Sequence, residues 1–186
     1  MMDSYKRQCY RRLTRLKNYD YSHPGAYFIT ICTKKRHCLF GEIQNEEMKV
    51  NDYGEIVRQT WLDLPQHYPN VQLNAFVIMP NHIHGIVFLE DVGAGLKPAP
   101  TGFQDKHHHL SEIIRAFKTF SAKRINKLRN MAGKSGWQRN YYEHVIRRDE
   151  SLAKIREYIE NNPLRWALDR ENPANCDKKG AHVLCK

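Results

Sequence analysis

The chain has 186 residues, with thirty Lys and Arg against twenty Asp and Glu and a formal charge of +10. That length suits one domain with a real core, and 41% hydrophobic with 11% aromatic residues excludes a disordered polyelectrolyte. The positive balance favours a polyanionic partner, most often nucleic acid, over a merely solvated basic surface.

The first twenty residues form a cationic arm, in which Arg7, Arg11, Arg12, Arg15 and Lys17 are interleaved with Tyr10 and Tyr19. Such a mixture offers phosphate contacts and base stacking, and equally fits a solvated tail. The arm lacks the apolar run of a signal peptide, and no later run is long enough to span a bilayer, so a cytoplasmic chain with no membrane partner is expected. Cys9, Cys32, Cys38, Cys176 and Cys185 form no CxxC pair and read as reduced thiols.

His23-Pro24-Gly25 marks a turn, and Ala26 to Thr33, rich in aromatic and β-branched residues, reads as the first strand. Leu39 to Val50 reads as a connection with at most a short strand. Asn51 offers an N-cap to a helix in which Ile56, Val57, Thr60, Trp61 and Leu64 recur at helical spacing until Pro65.

Two apolar runs, Ala75 to Met79 and Ile83 to Leu89, flank Pro80-Asn81 and predict two buried strands joined by a tight turn. His82 and His84 open the second strand. Alternation at roughly 3.3 Å per residue puts both imidazoles on one face, able to converge on one metal ion. Burying two imidazoles requires hydrogen-bond partners or a ligand, so either a metal pair or two hydrogen-bonded histidines at a strand end fits.

Residues 93 to 102, punctuated by Gly and Pro, read as a loop or insertion. The run His107 to His109 reads as side chains that diverge, not as a metal site. Leu110, Ile113, Ile114, Phe117, Ile125 and Leu128 define a long amphipathic helix over 110–130, whose other face carries Arg115, Lys118, Lys123 and Lys127. Trp137 to Arg148 reads as an extended, aromatic and basic segment. A last helix over 150–162 buries Leu152, Ile155 and Ile159 and stops at Pro163. Tyr158 lies beside that stripe with Asn162 one turn further on, and alone it reads as a rim tyrosine. The tail from Asp169 to Lys186 reads as weakly structured.

Taken together, Arg11-Arg12-Leu13, Met79-Pro80-Asn81-His82-Ile83-His84-Gly85, Ile114-Arg115-Ala116-Phe117-Lys118, Trp137-Gln138 with His144 to Arg147, and Tyr158-Ile159-x-x-Asn162-Pro163 resemble the REP-associated tyrosine transposases, a branch of the HUH single-tyrosine transposases. The likeness runs in order over nearly all of residues 11–168. It implies an α+β, ferredoxin-like fold: an antiparallel sheet with helices packed on it, within one domain over 1–168 that carries the basic arm 1–20 and an insertion at about 92–107.

The resemblance also implies a reaction. His82, His84 and Asn162 would ligate a divalent cation, and Tyr158 would attack a phosphodiester of single-stranded DNA beside a palindromic hairpin, leaving a 5′-phosphotyrosine. Imidazole ligands ordinarily suggest zinc, whereas the resemblance points to magnesium or manganese. Arg11, Arg12, Arg115, Lys118, Arg147 and Arg148 are the expected phosphate contacts. Two other readings stand beside this one: a binder of repeat hairpins that does not cut, and a metal nuclease using water. Either a monomer or a homodimer that exchanges its last helix is compatible with the sequence.

Overall fold

The computed structural model describes Tyr21, residues 23–91 and residues 108–176. The cationic arm with Arg11 and Arg12, the insertion at 92–107 and the end of the tail lie outside the described residues.

Four strands form an antiparallel sheet: β1 (Gly25–Cys32), β4 (Val71–Met79), β5 (His82–Leu89) and β6 (Tyr142–Ile146), in the order β4-β5-β1-β6. Helix α1 (Asp52–Leu62) connects β1 to β4, α3 (Leu110–Leu128) connects β5 to β6, and α4 (Asp149–Glu160) follows β6. This is the ferredoxin-like βαββαβ arrangement with an additional helix. A hairpin of β2 (Gly41–Gln44) and β3 (Glu47–Val50) and a short helix α2 (Leu64–His67) are inserted between β1 and β4.

Alternation along β1 divides the core in two. Tyr27, Ile29 and Ile31 face one way and pack with Val57 and Trp61 of α1 and Ile113, Ile114, Phe117 and Ile125 of α3. Each such side chain contributes about 1.5–3 kcal/mol on burial. Ala26 and Phe28 face the other way and meet Ile86, Ile146 and Ile159 under α4. The sheet therefore separates a thick two-helix layer from a face covered by a single helix.

Several sequence expectations are met and some are corrected. Asn51 caps α1, its side-chain oxygen accepting from Tyr53 N and Gly54 N. Pro65 does not end the helical region; it sits in the first turn of α2, where its missing N–H costs nothing. Residues 39–50 contain a whole hairpin rather than at most one short strand. Its turn places both Asn45 (φ 50°) and Glu46 (φ 65°) in the left-handed region, and an Asn-Glu pair is a weak signal beside the usual Asn-Gly. Within 137–148 only Tyr142–Ile146 joins the sheet, while Trp137 makes an isolated bridge to Thr33.

Gly85, on β5 between His84 and Ile86, is required by a close approach. A Cβ there would lie 2.5 Å from Cζ2 and 2.9 Å from Cη2 of Trp61, whose indole is itself stacked on Phe76 with centroids 4.8 Å apart. Gly85→Ala is expected to lower stability by about 1–3 kcal/mol, the range for overpacking. A fall in the urea midpoint with an unchanged slope is the measurement that checks it.

Helix α4 folds back on its own sheet. Only Arg147 and Arg148 connect it to β6, Ile159 is buried against β1 and β5, and Arg156 Nε donates to Asn74 Oδ1 at 2.7 Å. Asn74 stands in the irregularity of β4 between Leu73 and Phe76, so the bulge reaches the helix two residues from Tyr158.

Candidate metal and tyrosine site

His82 and His84 are both buried on the α4 side of the sheet, with Nε2 atoms 3.1 Å apart. Their outer nitrogens are held. Asn81 Nδ2 donates to the carbonyls of Arg36 (3.1 Å) and Glu171 (2.6 Å), which fixes Oδ1 toward His82 Nδ1 at 2.8 Å. A carbonyl oxygen only accepts, so Nδ1 of His82 carries the proton and its Nε2 presents a lone pair. His84 Nδ1 lies 2.8 Å from Thr30 Oγ1, a hydroxyl able to donate or accept. When His84 Nδ1 donates to it, two lone pairs face each other at 3.1 Å, an arrangement that a cation relieves.

Oxygen donors complete the cluster. The ligand atoms of His82, His84 and Asp169 all lie within 4.8 Å of one another, and Asp169 Oδ2 is 3.9 Å from His82 Nε2. Asn162 is 1% exposed, and its Oδ1 is buried without a hydrogen-bond partner. An orphaned buried amide oxygen costs on the order of 1–3 kcal/mol, a penalty removed by a ligand at that point. Two imidazole nitrogens, a carboxylate and an unsatisfied amide oxygen fit a divalent cation.

Tyr158 projects from α4 into the same place, with its hydroxyl 3.4 Å from His84 Nε2. Its ring meets Phe28 edge-on at 6.1 Å and His84 at 5.2 Å, while Phe28 stacks on His84 at 5.4 Å. Tyr158 is 38% exposed, on the wall of a cleft of about 450 Å³ that also includes Thr30, Tyr142, Asn162, Arg165 and Asp169. Partial burial raises the phenol pKa above its ordinary value, the Asn162 side chain opposes that, and Asp169 adds to it. The phenolate is therefore scarce near neutral pH unless positive charge is brought to it.

Burial, reinforced by Arg36 and Arg170, pushes His82 down to about 3. Burial, then His82 and Arg170, holds His84 well below the usual imidazole value. Both are neutral at physiological pH, the state a metal ligand needs. An unfolded imidazole takes up its proton near ~6.5, so below that pH the unfolded chain binds more protons than the folded one. Metal-free stability is therefore complete above about pH 6.5 and declines as pH falls toward His82's folded value of about 3. At about pH 5 the loss from His82 is of the order of 2 kcal/mol. Urea midpoints at about pH 7 and 5, with His82→Gln showing the smaller difference, test this.

A family model described as transposase IS200 like matches residues 104–162. An uncharacterised protein of Haemophilus influenzae is 40% identical over 171 residues, spanning 87% of this chain and 92% of that protein. Residues 104–162 thus carry the signature of the IS200-like transposases. A second Haemophilus influenzae protein, named as a candidate REP-associated tyrosine transposase, is 28% identical over 153 residues, covering 81% of this chain and 77% of that one. A solved REP-associated tyrosine transposase bound to a REP hairpin shares the fold, with TM-score 0.54 and 22% identity over 81% of this chain and 73% of its own. Tyr158 and Asn162 lie within the matched family segment, and His82 and His84 precede it.

The other expected residues are placed differently. Lys118 donates to the carbonyls of Gln138 and Arg139, the latter at 2.9 Å, and so clamps the segment before β6. Arg115 is exposed on α3, in the layer on the opposite face of the sheet. Arg147 and Arg148 follow Ile146, which pairs with Ala26, four residues along β1 from the Thr30 beside His84. That is roughly 13 Å of strand. None of these four cations stands at the His pair.

The tail expectation is corrected as far as residue 176. A 3-10 segment (Pro163–Leu168) leads into Asp169 to Glu171, and α5 (Pro173–Cys176) follows. Glu171 is buried, paired with Arg36 and bonded through its carbonyl to Asn81. Asp169 Oδ1 accepts from Glu171 N at 2.6 Å. The acidic pair thus packs beside the histidines because a buried asparagine and an arginine receive it, a long-range match with no periodicity. His108 Nδ1 lies 3.2 Å from Glu112 Oε2, and no metal-type cluster other than His82, His84 and Asp169 occurs among the described residues.

Proposed function

We propose that this chain cleaves and rejoins single-stranded DNA beside hairpins of palindromic repeats, with Tyr158 as nucleophile and a divalent cation held by His82, His84, Asn162 and Asp169. The observation that carries the reading is the Tyr158 hydroxyl, 3.4 Å from Nε2 of a histidine whose partner's lone pair and a nearby orphaned amide oxygen point to a cation. When bound, magnesium or manganese supplies charge neutralisation and polarisation at a phosphate.

The residues have distinct tasks. Asn81 and Thr30 orient the imidazoles, Phe28 sets the direction of the Tyr158 ring, and burial keeps both histidines unprotonated. In the first step the Tyr158 oxygen forms a bond to phosphorus, the bond from phosphorus to the 3′ oxygen breaks, and the phenol's proton is replaced by one gained on the released 3′-hydroxyl. The phosphodiester energy is retained in the 5′-phosphotyrosine. Attack by another strand's 3′-hydroxyl then restores the phenol and joins DNA without a nucleotide cofactor. The approach of Tyr158 to His84 of its own chain at 3.4 Å supports a monomer for the first step.

Incubation with a hairpin oligonucleotide bearing single-stranded flanks, with manganese or magnesium and then with chelator, tests the proposal. DNA labelled at its 3′ end is expected to acquire the mass of the protein on a denaturing gel, while the same DNA labelled at its 5′ end is released shorter and bare. Binding without cleavage in any metal would favour the non-cutting hairpin binder, and cleavage without an adduct would favour water as nucleophile.

A further inference from the structure

We propose that Tyr142 is the platform on which a nucleobase of the cleaved strand stacks, and so a positioning residue for the reaction proposed above, on which this inference rests. Thr30 pairs with His84 on one side and with Tyr142 on the other. Tyr142, Thr30 and His84 therefore form one row across three strands, on the same face. Two strand spacings, roughly 10 Å, separate the ends of that row. A phosphate at His84 would place a neighbouring base over Tyr142.

The setting of Tyr142 suits that use. It lies on β6, the edge strand of the sheet among the described residues. It is 39% exposed, and its hydroxyl makes no hydrogen bond among the described residues. Phe28 meets the ring edge to face at 6.3 Å and 70°, a contact that steadies it without covering both faces. Phe28 is also the ring that contacts His84 and Tyr158, so the platform is mechanically joined to the nucleophile.

The cleft chooses the occupant. Tyr142 shares its wall with Arg165, Tyr158 and the His84 edge, within about 450 Å³. An aromatic face beside a cation and a metal-type cluster matches an unpaired nucleotide, whose base stacks while its phosphate takes the charge. Stacking is tolerant of base identity, so Tyr142 would fix the register of the strand more than its sequence.

Equilibrium binding of the full chain carrying Tyr158→Phe, which leaves the DNA intact, to a hairpin with single-stranded flanks provides the test. Tyr142→Ala is expected to weaken binding about tenfold, the usual effect of removing a stacking ring, whereas Tyr142→Phe binds like the parent. An abasic residue moved along the flank should abolish the tenfold difference at one position, and 2-aminopurine there should be quenched by tyrosine or phenylalanine but not by alanine. Equal affinity of the alanine variant, or a loss that survives abasic substitution at every position, overturns the platform while leaving the nuclease reading intact. Failure of the parent itself to bind the DNA overturns both.

Discussion

Tyr158→Phe is expected to abolish the covalent adduct and to reduce cleavage by about 10⁴-fold or more, by analogy with enzymes stripped of their nucleophile. The substitution removes one oxygen and nothing else. The ring keeps its edge contact with Phe28 and its contact with His84, and the hydroxyl is lost from a long 3.4 Å interaction with His84 Nε2 and from beside the Asn162 side chain. Burial raises the phenol pKa in the metal-free protein, and the hydroxyl's contacts are few. Unfolding midpoints should accordingly change by less than about 0.5 kcal/mol in equivalent stability, the range for substitutions that disturb no packing. Quantifying both adduct and shortened strand over time separates the outcomes. Loss of both assigns the nucleophile; shortened strand that persists without adduct assigns the attack to water.

Much of the fold was legible because its signals are local. The strand over Ala26–Thr33, the N-cap at Asn51 and the stripe from Leu110 to Leu128 each follow from a few adjacent residues, whereas the last helix ends at Glu160 and Pro163, expected to stop it, instead opens the 3-10 segment. The β2–β3 hairpin was missed because its turn uses Glu46 in a conformation that glycine ordinarily supplies.

The site divides in the same way. His82 and His84 share a face because side chains alternate along a strand, and Tyr158 with Asn162 share a helix end; both pairings are written in spacing. Which residues stand around them is not. Thr30 meets His84 through cross-strand register, Phe28 meets Tyr158 through the packing of α4, and Asp169 arrives through a contact between Asn81 and Glu171 that spans 90 residues. Lys118 illustrates the converse. A helical lysine in a basic chain reads as a phosphate ligand, yet two backbone carbonyls claim its ammonium.

The second large effect concerns the cation. His82→Ala removes a nitrogen of the proposed cation site outright and is expected to abolish specific manganese binding and metal-dependent cleavage together. Asn81→Ala should reach part of the same end without touching a ligand, lowering metal affinity by about 10–100-fold, as loss of an orienting partner does. The reason lies in the tautomer. Asn81 Oδ1 is the acceptor that keeps the proton on His82 Nδ1 and frees Nε2; without it the imidazole can rotate or reverse its proton, and the lone pair no longer faces His84. Asn81 also holds the Glu171 carbonyl, so its loss loosens the segment bearing Asp169 as well. Asn81→Asp gives the discriminating comparison, since a carboxylate accepts from Nδ1 but cannot donate to the Arg36 and Glu171 carbonyls. Manganese titration by electron paramagnetic resonance reads affinity without reference to DNA. If the aspartate variant retains the parent's affinity, orientation of His82 is the decisive task; if it falls with the alanine variant, tethering of residues 169–171 is.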